Sequence, residues 1–345
     1  MPKVYIIVLN YKNWQDTVEC LESLFKLDYK NYQIIVVDNN SPNDSIERIT
    51  KWANGNETVI SVVNPELQHL SFPPVQKPVR FKLLSQTESL IQNSITDKLI
   101  LIKADQNRGY SAGNNIALKY GLAQNDADFF WILNNDVVVE PNALSTLTEK
   151  AAFYKESNQK VGIIGGKVMY YHLPNRIQAA SGSFFRLKTA RLTTGLGHFE
   201  EDKGQYDKEV AVDFVMGACM FVSKEYIEEV GLLSEEYFLY LEEPDWVEKG
   251  KRKGAWETGY AWNAKIYHKE GGASGGGTHR KNKISFLADF YVQRNKILFT
   301  RKFYPQYLPF VYLSLLAIII KRIFEGQWKR IPKLFSILFN PNRAF

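Results

Sequence analysis

The sequence predicts an α/β fold on a mostly parallel sheet, and three observations point there. Continuous apolar runs that close on a polar residue recur between Lys3 and Val139. Segments with helical spacing of their apolar residues alternate with these runs. The polar ends are rich in amides and carboxylates, and in such sheets ligands bind outside the carboxyl ends of the strands.

Taken in order, "KVYIIVLN" reads as a strand buried on both faces and ends on Asn10. Val18, Leu21, Leu24 and Phe25 then share one helical stripe. "YQIIVVDNN" repeats the strand design and places Asp38 and Asn40 at its end. "TVISVV", residues 58–63, reads as a third strand. The stretch Asn64 to Asp97 breaks the rhythm, because the prolines of "SFPPVQKPVRF" disrupt helix and ladder alike. It reads as an insertion, serving as a flap or as a homo-oligomer contact. "LILIKADQN" leads into "GYSAGNNIALKYGLA", a strand, a glycine turn and a helix, which brings Asn107, Gly109 and Asn114 to one strand end. "DFFWILNNDVVV" is a further apolar strand carrying Asn134, Asn135 and Asp136 at its tip. After Gly165, mixed strands and a helix are expected along one edge of the sheet.

Charged residues at 23% and 45% hydrophobic residues fit a folded chain with a large core. No secretory h-region opens the sequence, since the first apolar run has only strand length. Cys20 and Cys219 sit in apolar settings without metal spacing, which suits reduced thiols and a cytoplasmic location. The net charge of +6 is uneven: from Thr278 onward there are 13 Lys+Arg against 2 Asp+Glu. A general nucleic-acid surface needs a basic stripe across the main body, and none is there. The basic tail instead points to an acidic partner, a membrane surface first. Its apolar run from Tyr307 to Ile320, about 14 residues, falls short of the roughly 20 needed to span a bilayer. A basic amphipathic helix of this kind can lie in the membrane interface or pack on the protein.

Several familiar chemistries fail on the residues. "GIIGGKV" is one residue short of a phosphate loop and lacks the hydroxyl after Lys167. No G-x-G-x-x-G follows the first strand, and there is no G-x-S-x-G elbow or zinc-ligand cluster. What remains is a set of strand-end groups. Asp38 can accept a hydrogen bond from a nucleobase N–H, or it is simple turn chemistry. Asp136 can bind a hard divalent cation that also holds a diphosphate, or it caps a helix. His268, in "IYHKEGG", is a metal ligand before a glycine loop, or a core residue. In "EYFLYLEEPDW", Glu242, Glu243 and Asp245 crowd behind an aromatic run. Proximity and burial raise the pKa of such carboxylates. A helix N-terminus also favours acidic residues, but it leaves the aromatic run unexplained.

As an ordered set these segments resemble the family 2 glycosyltransferases, especially the rhamnosyltransferase-like branch. The matching motifs are "IIVLNYKN", "DNNSPND", "NRGYSAGNN", "YFLYLEEPD" and "YHKEGGAS", and "YVQRNKILFTRKFYP" resembles the segment after the catalytic core. The resemblance runs from about Lys3 to Pro305 and departs at two points. The usual D-x-D is "NND", with Asp136 as its one charged ligand, and the E-D pair is Glu242–Glu243.

The resemblance implies a GT-A fold, a Rossmann-like mixed, mostly parallel sheet flanked by helices, with a C-terminal helical extension. Residues 1–278 would form the catalytic domain, with the insertion at about 64–97, and residues 279–345 a basic amphipathic helical region. It implies inverting transfer from a UDP- or dTDP-linked nucleotide diphosphate sugar to a saccharide, glycoprotein or lipid-linked acceptor, in bacterial surface glycan synthesis. Glu243 would be the base, Asp245 the next candidate, and Glu242 an orienting group. Asp136 and His268 would hold Mn²⁺ or Mg²⁺. Asn10, Asp38, Asn40, Asn107, Gly109, Asn114, Asn134 and Asn135 would surround the donor. Two rivals stand beside this reading. A sugar-nucleotide pyrophosphorylase would need a basic glycine-rich loop where "NYKNWQD" stands. A degenerate glycosyltransferase-like scaffold would accommodate the altered "NND" and "EE".

Overall fold

The computed structural model describes residues 1–57, 64–91, 95–270 and 285–345; the strand expected at 58–63 lies outside them. Its centre is a ten-stranded mixed sheet. Strands β1 (Val4–Asn10), β2 (Tyr32–Asp38), β3 (Phe81–Ser85), β4 (Leu99–Lys103) and β5 (Phe129–Asn134) run parallel, in the order β3-β4-β2-β1-β5. Register lines up their polar ends. Asn10 lies opposite Asp38, and Leu9 opposite Asn134. A short β6 (Val137–Val139) follows, then β7 (Val161–Tyr170) and β8 (Leu173–Ala180). The sheet is completed by β9 (Cys219–Ser223) and β10 (Glu257–His268).

The two halves are joined differently from the edge arrangement the sequence predicts. Strand β9 enters the middle of the sheet, antiparallel to β5 on one side and β7 on the other. Beyond β7, β10 runs parallel to it and pairs antiparallel with β6. This returns His268 to Val137, immediately beside the tip of β5. The stretch expected to be an insertion also contributes β3, the parallel edge strand. Its residues are mostly exposed, so it shows no apolar run.

Period-two alternation divides the core into two layers. Val4, Ile6 and Val8 face α1 (Trp14–Leu24) and α2 (Ser45–Ala53). Tyr5 and Ile7 face the layer of α3 (Tyr110–Ala123), where Ile116, Leu118 and Tyr120 are buried. Helix α4 (Ala143–Glu156) joins the first layer, while α5 (Lys224–Val230) and α6 (Glu242–Gly254) join the second. Both cysteines are free and buried.

Three C-terminal helices follow: α7 (Phe286–Phe303), α8 (Leu308–Phe324) and α9 (Ile331–Phe339). Val311, Leu315 and Ile319, four residues apart, bury one stripe of α8 against Phe290, Leu334 and Ile337. Leu313, Ile320, Phe324 and Trp328 stay exposed. With its leading turn the helix runs 20 residues from Pro305 to Phe324, longer than the apolar run counted in the sequence and long enough by length and composition to cross a bilayer. Helix α7 does not stand apart: Leu298, Phe299 and Phe303 pack on Tyr237 and Leu241, just before α6.

One buried carboxylate ties the proline-rich stretch to the sheet layer. Glu22 accepts from Trp52 Nε1 at 2.7 Å, Val75 N at 2.6 Å and Lys77 Nζ at 2.9 Å, and its side chain is wholly buried. Removing one partner of a buried ion pair strands the other, at about 3–5 kcal/mol. Glu22→Ala is therefore expected to lower stability by about that much in urea unfolding; a change below about 1 kcal/mol would contradict the assigned role.

Candidate active site

A cavity of about 380 Å³ opens where the strand ends meet the N-termini of α3 and α6. Asn107, Gly109, Asn134, Asn135, Asp136 and His268 line it. Glu242, Glu243 and Tyr240 line the same cavity. Eight of the sequence-predicted residues, Asn107, Gly109, Asn134, Asn135, Asp136, His268, Glu242 and Glu243, thus line one space.

Asp136 occupies the two-residue link between β5 and β6, and β10 brings His268 Nε2 to 3.1 Å from its Oδ1. The imidazole is oriented from behind. Gln178 Nε2 donates to Glu270 Oε1 at 2.6 Å, which turns Gln178 Oε1 toward His268 Nδ1 at 2.9 Å. His268 therefore donates from Nδ1 and presents Nε2 to Asp136 and to Asn134 Nδ2 at 3.3 Å. Burial pulls the imidazole pKa down, but the Asp136 carboxylate outweighs it and holds the value above the ordinary one. An outer-shell partner on the far nitrogen, with the near nitrogen facing a carboxylate, suits a divalent-cation site. Among the described residues no group of three or more His, Cys, Asp or Glu could hold a metal. The pair supplies one oxygen and one nitrogen, so a cation here would complete its shell from phosphate oxygens and water.

The carboxylate-bearing segment begins with a tight turn. Tyr240 and Leu241 both take left-handed φ, 71° and 70°, and Glu242 opens α6 directly after them. Phe238 O accepts from Tyr110 N at 2.9 Å, which docks the turn on the start of α3. Gly109 makes this possible: a Cβ there would sit 2.2 Å from Phe238 O, and its φ of +93° suits glycine. Gly217 plays the matching part on the other side, since a Cβ would lie 2.1 Å from Glu243 Oε1. An isolated glycine beside a strand is the kind of signal that marks such a close approach.

The two glutamates differ. Glu242 is 3% exposed, and its Oε2 has no hydrogen-bond partner among the described residues. Burial, then the charge of Glu243, raise its carboxyl well above the usual range. Glu243 is half-buried, and burial pushes it up to about 7 even though backbone N–H groups, Gly217's among them, stabilise its charge. Tyr110 OH donates to Gly217 O at 2.8 Å beside them both.

Other predicted residues fall elsewhere. Asp245 does not line the cavity. It is wholly buried, accepts from Ser234 Oγ at 2.6 Å and Tyr237 OH at 3.1 Å, and pairs with Lys302 at 2.6 Å and Lys249 at 3.6 Å. With its lone pairs so engaged it anchors α6 and is not available as a base. Asn10 and Asp38 are buried and do not line the cavity, Asn10 Nδ2 donating to Asp38 Oδ1 at 2.6 Å. Ser41 adds bonds from its backbone N and its hydroxyl to Asp38. Asn40 is exposed with left-handed φ of 54° and does not line the cavity. The lining residue from this strand end is Asn39, whose Nδ2 bonds Asn107 Oδ1 at 3.1 Å and whose buried Oδ1 has no partner among the described residues. Asn114 is buried within α3, bonding Tyr110 O. Tyr11, Tyr110, Gly217 and Tyr240 also line the space and were not anticipated.

A buried carboxyl with a raised pKa costs stability as pH climbs. Between the unfolded value and the folded one the native state holds the extra proton, so stability falls as pH rises through that window. Glu242→Gln is expected to raise the melting temperature over wild type at pH 8 and to leave it within about 1 °C at pH 4. Equal shifts at both pH values would show that Glu242 carries no such burden.

Comparisons with known proteins agree with this architecture. Residues 5–71 match the family described as Glycosyl transferase family 2. A curated relative, the low-salt glycan biosynthesis hexosyltransferase Agl10 of Haloferax volcanii, is 25% identical over 171 residues. That alignment covers 49% of this chain and 52% of the relative, so the chain spans about half the length of the relative it matches. Among solved structures, S. aureus TarS 1-349 in complex with UDP-GlcNAc superposes with a TM-score of 0.51 at 14% identity, covering 98% of this chain and 80% of that TarS 1-349 chain. GalNAc-T7 with UDP, GalNAc and Mn²⁺ gives 0.56 at 9% identity, covering 90% and 50% respectively. Residues 5–71, which take in the first two strands, thus resemble glycosyl transferase family 2, and the sheet they open has the GT-A fold of these structural neighbours.

Proposed function

We propose that the chain transfers a sugar from a UDP- or dTDP-linked nucleotide diphosphate sugar to an acceptor hydroxyl, with inversion at the anomeric carbon. One observation carries this reading: Glu243 and the Asp136–His268 pair line one and the same cavity. Asp136 and His268 would hold Mn²⁺ or Mg²⁺, which when bound supplies Lewis-acid stabilisation of charge on the leaving diphosphate. The relatives' names are consistent with it: one is a hexosyltransferase, and two structural neighbours carry UDP or a UDP sugar.

The chain's own residues account for the rest. Asn39 Oδ1, buried and without a partner among the described residues, offers an acceptor for a nucleobase N–H beside Asn107 and Gly109. Glu243, with a pKa near neutrality, takes the acceptor proton as the acceptor oxygen bonds to the anomeric carbon. The anomeric bond to the diphosphate oxygen breaks, and its electron pair leaves on that oxygen. Glu242, whose proton affinity burial and the charge of Glu243 raise, lines the same cavity beside it. A second cavity of about 260 Å³ shares Met216, Gly217, Tyr240 and Glu243 with the first. Thr193, Thr194 and His198 line it, polar groups suited to a saccharide acceptor.

The reading extends to place. The catalytic part acts in the cytoplasm at a membrane face, where a lipid-linked acceptor or a surface glycan under construction presents its hydroxyl. The exposed Leu313, Ile320 and Phe324 of α8, within a tail of 13 Lys+Arg against 2 Asp+Glu, support contact with anionic lipid.

Glu243→Gln is expected to lower transfer by about 10²–10⁴-fold while leaving nucleotide binding intact. In wild type, kcat/KM falls tenfold per pH unit below about 7, because only the ionised Glu243 accepts a proton. A variant that transfers normally, or a rate flat from pH 5 to 8, contradicts the assignment. For the membrane, the triple change Leu313→Ser, Ile320→Ser, Phe324→Ser is expected to abolish flotation with anionic liposomes; equal flotation with wild type removes that part of the reading.

A further inference from the structure

The carboxylate wall depends on a backbone that two bulky residues rarely adopt. Tyr240 and Leu241 are consecutive and both left-handed, at φ 71° and 70°. Such a conformation disfavours side chains with a Cβ, and it persists only where surroundings over-determine it. Leu241 is wholly buried and Tyr240 lines both cavities, so neither position is a free surface loop. The next two residues are Glu242 and Glu243. Any relaxation of the turn therefore re-aims both carboxyls.

The restraint comes from α7. Asn295, wholly buried, donates its two Nδ2 hydrogens to Leu239 O and Tyr240 O, each at 2.8 Å. Its Oδ1 accepts from Arg294 Nη1 at 2.7 Å, and Arg294 Nη1 also donates to Glu236 O at 2.9 Å. Arg294 is in turn braced by its Nε bond to Arg343 O at 3.0 Å. The same helical face holds the segment at its ends. Tyr291 stacks on Phe238 with centroids 4.8 Å apart, and Lys302 pairs with Glu236 at 3.1 Å and Asp245 at 2.6 Å. Residues 291, 294–295, 298 and 302 recur at helical spacing, so one side of α7 runs under the whole turn. Adjacent carbonyls at a left-handed turn lack helical partners, and a primary amide with two donors satisfies both at once.

We propose that Asn295, backed by Arg294, is a positioning residue of this site: it clamps the Leu239 and Tyr240 carbonyls so that the left-handed Tyr240–Leu241 turn delivers Glu243 to the cavity. It lines neither cavity itself and acts through the turn. The inference rests on the reading of Glu243 as base. The two fail separately: if Glu243→Gln keeps full transfer, that reading is wrong whatever Asn295 does.

Asn295→Asp is nearly isosteric and lacks both amide hydrogens. It is expected to lower kcat about 10²-fold, the size of loss an ångström of misplacement brings. Donor KM and Mn²⁺-dependent UDP binding should stay within about twofold, because the donor wall lies on other elements. A cycle with Tyr240→Gly separates positioning from general stability. Glycine takes φ 71° unaided, so in that background Asn295→Asp is expected to cost kcat less than about tenfold. If Asn295→Asp does not fold, Asn295→Ser, which keeps one donor, carries the same comparison. An unchanged kcat in a folded variant overturns the proposal. So does an equal loss in both backgrounds, or a loss of donor binding in step with kcat.

Discussion

The contact between Gly109 and the Phe238 carbonyl is the constraint on which the site depends. It lets the start of α3 meet the turn before α6 with backbone against backbone, where any Cβ would collide at 2.2 Å. Strand tips from the first half of the chain and a carboxylate wall from the second are thereby held around one cavity. Gly217 repeats the device opposite Glu243. Two glycines thus set the width of the space, and polar groups occupy what is left.

Electrostatics then divides the labour among the carboxylates. Asp136 is buried but faces an imidazole that can share or give up a proton. Asp245 is deeper still and is neutralised by two lysines and two hydroxyls, so it serves structure. Glu242 and Glu243 have neither compensation, and their proton affinities rise. Four acids within one region therefore take different tasks according to what surrounds them. Burial alone does not distinguish them; the identity of their neighbours does.

How much of this was legible in the sequence follows the range of the interactions. The strands β1, β2, β4 and β5 were plain because each is buried on both faces and ends on a polar residue. Parallel register then aligns those ends without further information. Strand β3 was hidden because an exposed edge strand needs no apolar run. Asn39, and not the expected Asp38 or Asn40, lines the cavity, because β2 ends at Asp38 and Asn40 turns left-handed, so adjacent side chains leave in different directions. The fate of Asp245 was not legible, since Lys302 lies 57 residues away in α7. The same distance in sequence concealed Asn295, whose partners at 239 and 240 are brought to it only by the packing of α7.

The claim at the centre is spatial: a cation and diphosphate at the Asp136–His268 pair, faced by Glu243 across the cavity. Anomalous diffraction from crystals grown with Mn²⁺ and UDP tests it most directly. The account predicts a manganese peak within coordination distance of both Asp136 and His268, with the Glu243 carboxylate turned toward the nucleotide. A peak bound elsewhere, or UDP seated on the sheet with Glu243 facing away from it, would contradict the account.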